Sequence, residues 1–410
     1  MKNRKSIFSW CIYDWAHSSF PTLVTTFIFS TYYTKTIAPN EIVGTEYWGY
    51  ALAIAGLCVA ILAPIVGAIA DNTRSIKKWL GIMTFICIVS VSFLFFAKPN
   101  DIWIILALIM YVIADIAYEC SQIFYNSLLV RIAPRSHVGR ISGWGWGIGY
   151  FGGLCCLVIA LYIVNQKLFS NIELLNVRST MLLVGVWFAI FSLPLFFWTD
   201  DLFGQAKNIK NAIIDGVTQL YRTIRSFNEY KNIYRYLLAH LLYMDGLNTI
   251  FAFGGIYAAG TFGMGFSQII LFAISLNISA GIGAIILARL DDLWHPKMII
   301  LISLIGIIVV SFFMLFITNI FLFWITGVIL GFFMGPAQAA SRSFMVRLSP
   351  RSKINEMFGI YSLSGRMTAF LGPMLVAVFT SLFHSQRVGL SLAVILMLLG
   401  LIVLLRVKKS

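Results

Sequence analysis

Apolar runs of membrane-crossing length follow one another almost without a break along this chain, and no other feature restricts its fold as severely. Twelve runs are delimited, at 7–37, 48–70, 79–97, 102–130, 141–164, 179–199, 233–258, 267–288, 298–317, 321–346, 356–383 and 388–405. A hydrocarbon core about 30 Å thick takes about 20 apolar residues of helix. Without water, backbone polar groups must pair inside the segment or around a closed barrel. The runs are continuous rather than alternating, which selects helices. Charged residues make up only 11% of the chain, against about 25% in a typical soluble domain. The longest polar stretch, 200–232, is too short to enclose a soluble core.

Lys and Arg set the expected orientation. Lys2, Arg4 and Lys5, the loops around 74–78 and 131–140, the central loop, and the later basic positions up to Lys409 put 23 basic residues on one side. Lys35, Lys98, Lys167, Arg178 and Arg387 put 5 on the other, so both termini are expected in the cytoplasm. The net charge of +14 follows this alternation and gives no reason to expect a nucleic-acid partner. All six cysteines fall inside apolar runs and read as packing residues rather than a disulfide framework or metal site. No cleavable signal peptide is expected, because the first run is too long and carries Asp14 and His17. Short loops and the lack of a long tail suggest a multi-pass protein of a bacterial inner membrane.

The chain also repeats itself. SLLVRIAPRS at 127–136 and SFMVRLSPRS at 343–352 match at six of ten positions, 216 residues apart. The same spacing sets Gly67-Ala68-Ile69 over Gly283-Ala284-Ile285. Both long matches end an even-numbered run. The expected architecture is therefore an all-α membrane protein of twelve transmembrane helices in two pseudo-symmetric six-helix bundles, at 1–199 and 233–410, joined by a cytoplasmic linker at 200–232. Parallel half-repeats of this kind occur in the major facilitator fold.

Several ionisable residues sit too deep for ordinary surface charges. At 1.5 Å per residue, Asp14 lies roughly 14 Å beyond Lys5, Asp245 roughly 15 Å beyond Arg235, Glu119 roughly 18 Å from Arg131 and Arg366 roughly 20 Å from Lys353. Charges at mid-depth cost several kcal/mol unless paired or hydrated, and by default they mark a pathway or site. The alternative is a structural pair that fixes helix packing. Asp14-Trp15-Ala16-His17-Ser18 in the first run and Asp245-Gly246-Leu247-Asn248-Thr249 in the seventh share the pattern D-x-x-[HN]-[ST]. Positions i and i+3 share a helix face. Asp14, His17, Asp245 and Asn248 are therefore candidate solute contacts, one set per half, expected to face a common central space. Arg342 and Arg366 are candidate counter-ions or anion contacts. Asp115 and Glu119 form an acidic i,i+4 pair. Left without a cation it suits proton coupling, and paired with Arg342 or Arg366 it is structural; both readings stay open. His17 suits a titrating group or a hydrogen-bonded packing residue.

GWGWGIGYFGG at 143–153 spaces Gly145, Gly149 and Gly153 by four, which permits close helix approach. With no following lysine and no preceding strand, it is not a phosphate loop. GAIADNTRSIKK at 67–78 places Asp71 among Arg74, Lys77 and Lys78.

G-x-x-A-D followed by basic residues resembles the major facilitator signature, with Gly67, Asp71, Arg74 and Lys77 in place. The resemblance implies a gating role for Asp71 with Arg74, near the start of the eleventh helix. YDWAHSSFPTLVTTFIF at 13–29 is similar to the YDWANSAF stretch of the autophagy-related vacuolar effluxer-like branch of that superfamily. ISGWGWGIGYFGG at 141–153 resembles the same branch's fifth helix, and Asp245-Gly246 with SGRMTAFLGP at 364–373 fits its second half. The likeness is strongest over 9–153 and thinner afterwards. His17 stands where the branch has asparagine. The resemblance implies export of amino acids.

The leading expectation is a monomeric secondary carrier without cofactors, moving a small solute by alternating access with a proton or another coupling ion. An intramembrane enzyme acting on a lipid is the runner-up. It lacks H-E-x-x-H, G-x-S-x-G and a paired D-D-x-x-D metal motif. A non-transporting receptor derived from a carrier is the third reading. An ATP-driven pump is excluded, since no G-x-x-x-x-G-K-[ST] occurs.

Overall fold

The computed structural model describes residues 2–72, 76–132, 138–166, 173–199, 230–349, 361, 364–365 and 370–408. The chain is all-helical there. Helix α1 spans Lys2–His17 and continues through π-helical Phe20–Phe27, one α turn at Phe29–Tyr32 and π-helical Tyr33–Ile37. The change of winding follows Pro21, which has no N–H to donate and whose ring crowds the preceding turn. Next come α2 (Glu41–Asn72), α3 (Ile76–Phe93), α4 (Asp101–Ile132), α5 (Val138–Val164) and α6 (Leu175–Trp198). The second half holds α7 (Lys231–Phe262), α8 (Phe266–Trp294), α9 (Pro296–Met314), α10 (Ile320–Leu348), α11 (Leu371–Phe383) and α12 (Gln386–Leu405). Ten of these are long and apolar enough to cross a membrane. The remaining two expected spans are the interrupted first segment and α11, which is shorter over the described residues. The twelve-helix membrane fold expected from hydropathy is what the chain forms.

The chain divides into two compact units, Met1–Ala38 with Cys58–Ile224, and Pro39–Leu57 with Arg225–Ser410. The first part of α2 thus belongs to the second unit. There a methyl group placed on Gly49 would meet the Pro373 carbonyl at 2.8 Å, and Gln386 Nε2 donates to Thr45 Oγ1 at 2.8 Å.

Each unit pairs its helices in the same order. In the first, α1 packs on α5 and α6, and α3 on α4 and α6. In the second, α7 packs on α11 and α12, and α9 on α10 and α12.

The third and sixth helices of each unit also cap one another. Lys77, at the start of α3, donates from Nζ to the Thr199 carbonyl just past α6. Arg178, in the first turn of α6, donates from Nε to the Phe95 carbonyl at 2.8 Å, just past α3. In the second unit Lys297 Nζ donates to the carbonyls of Leu405, at 3.2 Å, and Val407 at the end of α12. Arg387 reaches back to the Leu315 and Ile317 carbonyls, at 3.1 and 2.9 Å, just past α9. The last four carbonyls of a helix have no partner within it, and a cation there also opposes the negative end of the helix dipole. Basic residues counted for orientation therefore complete helix ends.

Candidate functional site

Each unit builds one polar station where its first helix meets its fifth. In the first unit, Asp14 and Ser18 lie one turn apart on α1. Ser18 Oγ donates to the Asp14 carbonyl at 2.9 Å, the back-bond that a helical serine makes to residue i−4. Opposite stands Gly149 of α5. A methyl group there would lie 2.8 Å from Ser18 Oγ and 3.2 Å from Asp14 Oδ2. The absence of a side chain at 149 is what admits the carboxylate to the surface of α5. The glycine run continues this seat. A methyl on Gly145 would strike the Trp10 ring at 2.6 Å, and one on Gly152 would overlap the Trp15 carbonyl. Gly145, Gly149, Gly152 and Gly153 hold α1 against α5, the close-packing role expected of them.

The second unit repeats the arrangement on α7. Thr249 Oγ1 donates to the Asp245 carbonyl at 2.7 Å. Gly372 of α11 faces both side chains, and a methyl on it would overlap Thr249 Oγ1 and lie 3.0 Å from Asp245 Oδ1. Here the contact goes further, because the Gly372 N–H donates to Asp245 Oδ2 at 3.0 Å. Asp245 is 2% exposed, and its Oδ1 is buried without a hydrogen-bond partner among the described residues. Asp14 is 9% exposed.

The third position of the shared pattern behaves differently in the two units. His17 is buried against α4, its ring stacked on Tyr118 at 3.9 Å between centroids. Gln122 Nε2 donates to its Nδ1 at 2.8 Å, and Ser121 Oγ lies 3.5 Å from its Nε2. These contacts are of the kind a hydrogen-bonded packing residue makes. Asn248 is exposed. The elements the two stations share are therefore the carboxylate, the hydroxyl at i+4 and a glycine on the fifth helix of the unit.

Asp115 and Glu119 are half-buried on α4, one turn apart. Tyr111, a turn before Asp115, donates to Thr25 Oγ1 at 3.3 Å in the π-helical part of the first segment. Arg342 lies half-buried on α10. Arg366 and Arg74 fall outside the described residues, as does the side chain of Asp71.

Sequence reasoning gave no role to Gly372 or His240. Gly372 stands within the quoted SGRMTAFLGP stretch, but the 216-residue spacing of the repeat sets Gly365, not Gly372, opposite Gly149. His240, buried on α7, has its Nδ1 3.2 Å from Ser364 Oγ and its ring 4.2 Å from that of Tyr361. Among the described residues no group of three or more His, Cys, Asp and Glu is placed to hold a metal ion.

Comparison with known proteins agrees with the fold. The family described as "Vacuole effluxer Atg22 like" matches residues 134–410, and the Major Facilitator Superfamily matches residues 1–157. The Atg22-like match covers the part of the chain where the resemblance in motifs is thinner. The uncharacterized MFS-type transporter YxiO of Bacillus subtilis (strain 168) is 27% identical over 402 residues, covering 97% of this chain and 93% of that protein. Autophagy-related protein 22 of Saccharomyces cerevisiae (strain ATCC 204508 / S288c) is 22% identical, over 87% of this chain and 76% of its own length. Among solved structures, a D-xylose-proton symporter superposes with a TM-score of 0.73 at 12% identity, covering 100% of this chain and 98% of that one. A point variant of the nucleoside transporter NupG superposes with a TM-score of 0.68 at 12% identity, covering 98% of this chain and 100% of that one. At such identities the likeness establishes a shared fold.

Proposed function

The chain belongs to the vacuole effluxer Atg22-like family of major facilitators, and from that premise we propose that it moves an amino acid or related small organic solute by proton-coupled alternating access. It is a multi-pass membrane protein of a transporter family, not an enzyme. In this reading it works as a monomer in a bacterial inner membrane with both termini in the cytoplasm, as the Lys and Arg distribution favours.

The observation that carries the reading is the repeated station. Two buried carboxylates, Asp14 and Asp245, occupy equivalent points in two units of like helix order, each beside a hydroxyl and a glycine. Carriers of this fold bind solute and ion near the midplane at the interface of their repeats. An intramembrane carboxylate is a costly thing to keep without a task. Asp14 and Asp245 are assigned to solute or ion contact, with Asn248 and Arg342 as further polar groups and Arg366 as a candidate anion contact. Asp115 and Glu119 are assigned to coupling, and Asp71 with Arg74 to gating. His17 acts through its packing on α4.

A proteoliposome screen of amino acids and other small solutes under an imposed proton gradient tests this. Asp14→Asn and Asp245→Asn are expected to bring flux to background while the protein still inserts. Wild-type rates in both variants would end the assignment. A ligand found by thermal shift without flux would favour a receptor.

A further inference from the structure

The two carboxylates of the repeated stations are not chemically equivalent. Gly149 lies inside α5, where its N–H is committed to the helix ladder. Gly372 lies in the first turn of α11 as described, where an N–H has no partner within those residues and takes Asp245 Oδ2 instead. That leaves Asp245 half satisfied. One oxygen holds a backbone amide, and the other is buried with no donor to accept from among the described residues. A buried carboxylate oxygen in that position carries a desolvation cost that a bound cation or proton relieves.

The surroundings select between those two. Among the described residues, Gly372 of α11 and Thr249, a turn further along α7, lie beside the Asp245 carboxylate, and Ala393 and Met397 of α12 face the adjoining Gly246. None is charged. The 371–383 helix itself has no charged residue. Of the ionisable groups on neighbouring elements, Arg387 of α12 is held by the Leu315 and Ile317 carbonyls, and His240 of α7 lies more than a turn away beside Ser364. Hard metal cations such as Ca²⁺ and Mg²⁺ take about six or more oxygen ligands. Asp245 Oδ1 and Thr249 Oγ1 are the two side-chain oxygens within 3.0 Å of the point a methyl on Gly372 would occupy. Two oxygens suit a proton, with Oδ1 carrying it and Thr249 Oγ1 as the neighbouring acceptor.

We propose that Asp245 is the proton-binding position of the second unit, and that the start of α11 is the element its charge controls. The ionised carboxylate grips the Gly372 N–H through a charge-assisted bond, roughly twice as strong as a neutral one. A proton taken from solvent onto Oδ1 removes the charge, weakens that grip and frees the first turn of α11. The proposal deepens the carrier reading and rests on it for its purpose, but proton binding is measured without any solute.

The test uses the full chain in liposomes and pH-jump difference infrared spectroscopy. Wild type is expected to show the carbonyl stretch of a protonated carboxylic acid that disappears in Asp245→Asn and is retained, displaced, in Asp245→Glu. Hydrogen–deuterium exchange at 371–383, corrected for intrinsic rates, is expected to rise severalfold on the acid side in wild type and to stay flat in Asp245→Asn. A band that persists unchanged in Asp245→Asn, or wild-type exchange without pH dependence, overturns the proposal. Should Asp245→Asn fail to fold, the band in Asp245→Glu decides, displacement supporting the assignment and an unmoved band refuting it. Failure to find flux for any solute would strike the carrier reading and leave this result standing.

Discussion

Asp14 and Asp245 stand at corresponding points of two similarly wound units, beside a hydroxyl at i+4 and facing a glycine, yet what each can hold differs. The partner glycine of Asp14 sits mid-helix and offers a bare surface. The partner of Asp245 sits at a helix start and offers an N–H. The same three residue types thus give a more open carboxylate in one unit and a backbone-linked, nearly sealed one in the other. Duplication supplies the part, and the helix register of the neighbour decides its chemistry.

The comparison breaks most sharply at the glycines. Gly152→Ala would drive a methyl into the Trp15 backbone, which cannot rotate away, and about 3 kcal/mol of destabilisation is expected from such overpacking. Gly372→Ala meets side-chain atoms first, so about 1–2 kcal/mol is expected, together with loss of the difference in 371–383 exchange between acid and neutral pH. Thermal unfolding in one detergent, read side by side, checks the order. If Gly372→Ala proves the costlier, the α7–α11 seat is the tighter one.

The reciprocal caps give the next contrast. Lys297 is buried and Lys77 only partly so. Lys297→Met is expected to cost about 2 kcal/mol and Lys77→Met about 1 kcal/mol, following the range for cations at helix C-termini. Equal losses would mean that burial does not distinguish the two caps.

Glu173→Gln should show the smallest effect. Glu173 bridges Lys98 at 3.2 Å and Arg178 at 3.5 Å, but it is half exposed, so under about 1 kcal/mol is expected, vanishing at high salt. Arg178 also donates to the Phe95 carbonyl, a bond in which Glu173 takes no part. A larger, salt-resistant loss would show that the ionic contact outweighs the cap.

Much of the fold was legible because lipid imposes it. Uninterrupted apolar runs can only be helices, and alternating basic loops with a shared R-[IL]-[AS]-P-R-S end betray a duplicated chain. The buried carboxylates were legible for the same reason, since Asp14 and Asp245 interrupt runs that otherwise lack charge. Their neighbours were less so. Helical spacing pointed to the i+3 residues, but His17 turns to α4 while Asn248 is exposed, and the shared partner is the back-bonded hydroxyl at i+4. Gly372 and the capping pairs could not be read, because each depends on a carbonyl, amide or carboxylate 70 residues or more away in sequence. A lysine at a helix end carries the same local signal whether it faces lipid headgroups or closes a distant helix.

The reciprocal caps also bear on motion. Sliding α3 along α6 by one turn, roughly 5.4 Å, would pull Lys77 off Thr199 and Arg178 off Phe95 together, and the same holds for α9 and α12. Each antiparallel pair is fastened at both ends against shear. Whatever displacement accompanies a transport cycle must then be absorbed elsewhere in each unit, and the irregular winding beyond Pro21 is the stretch of the first unit least bound to a fixed pitch.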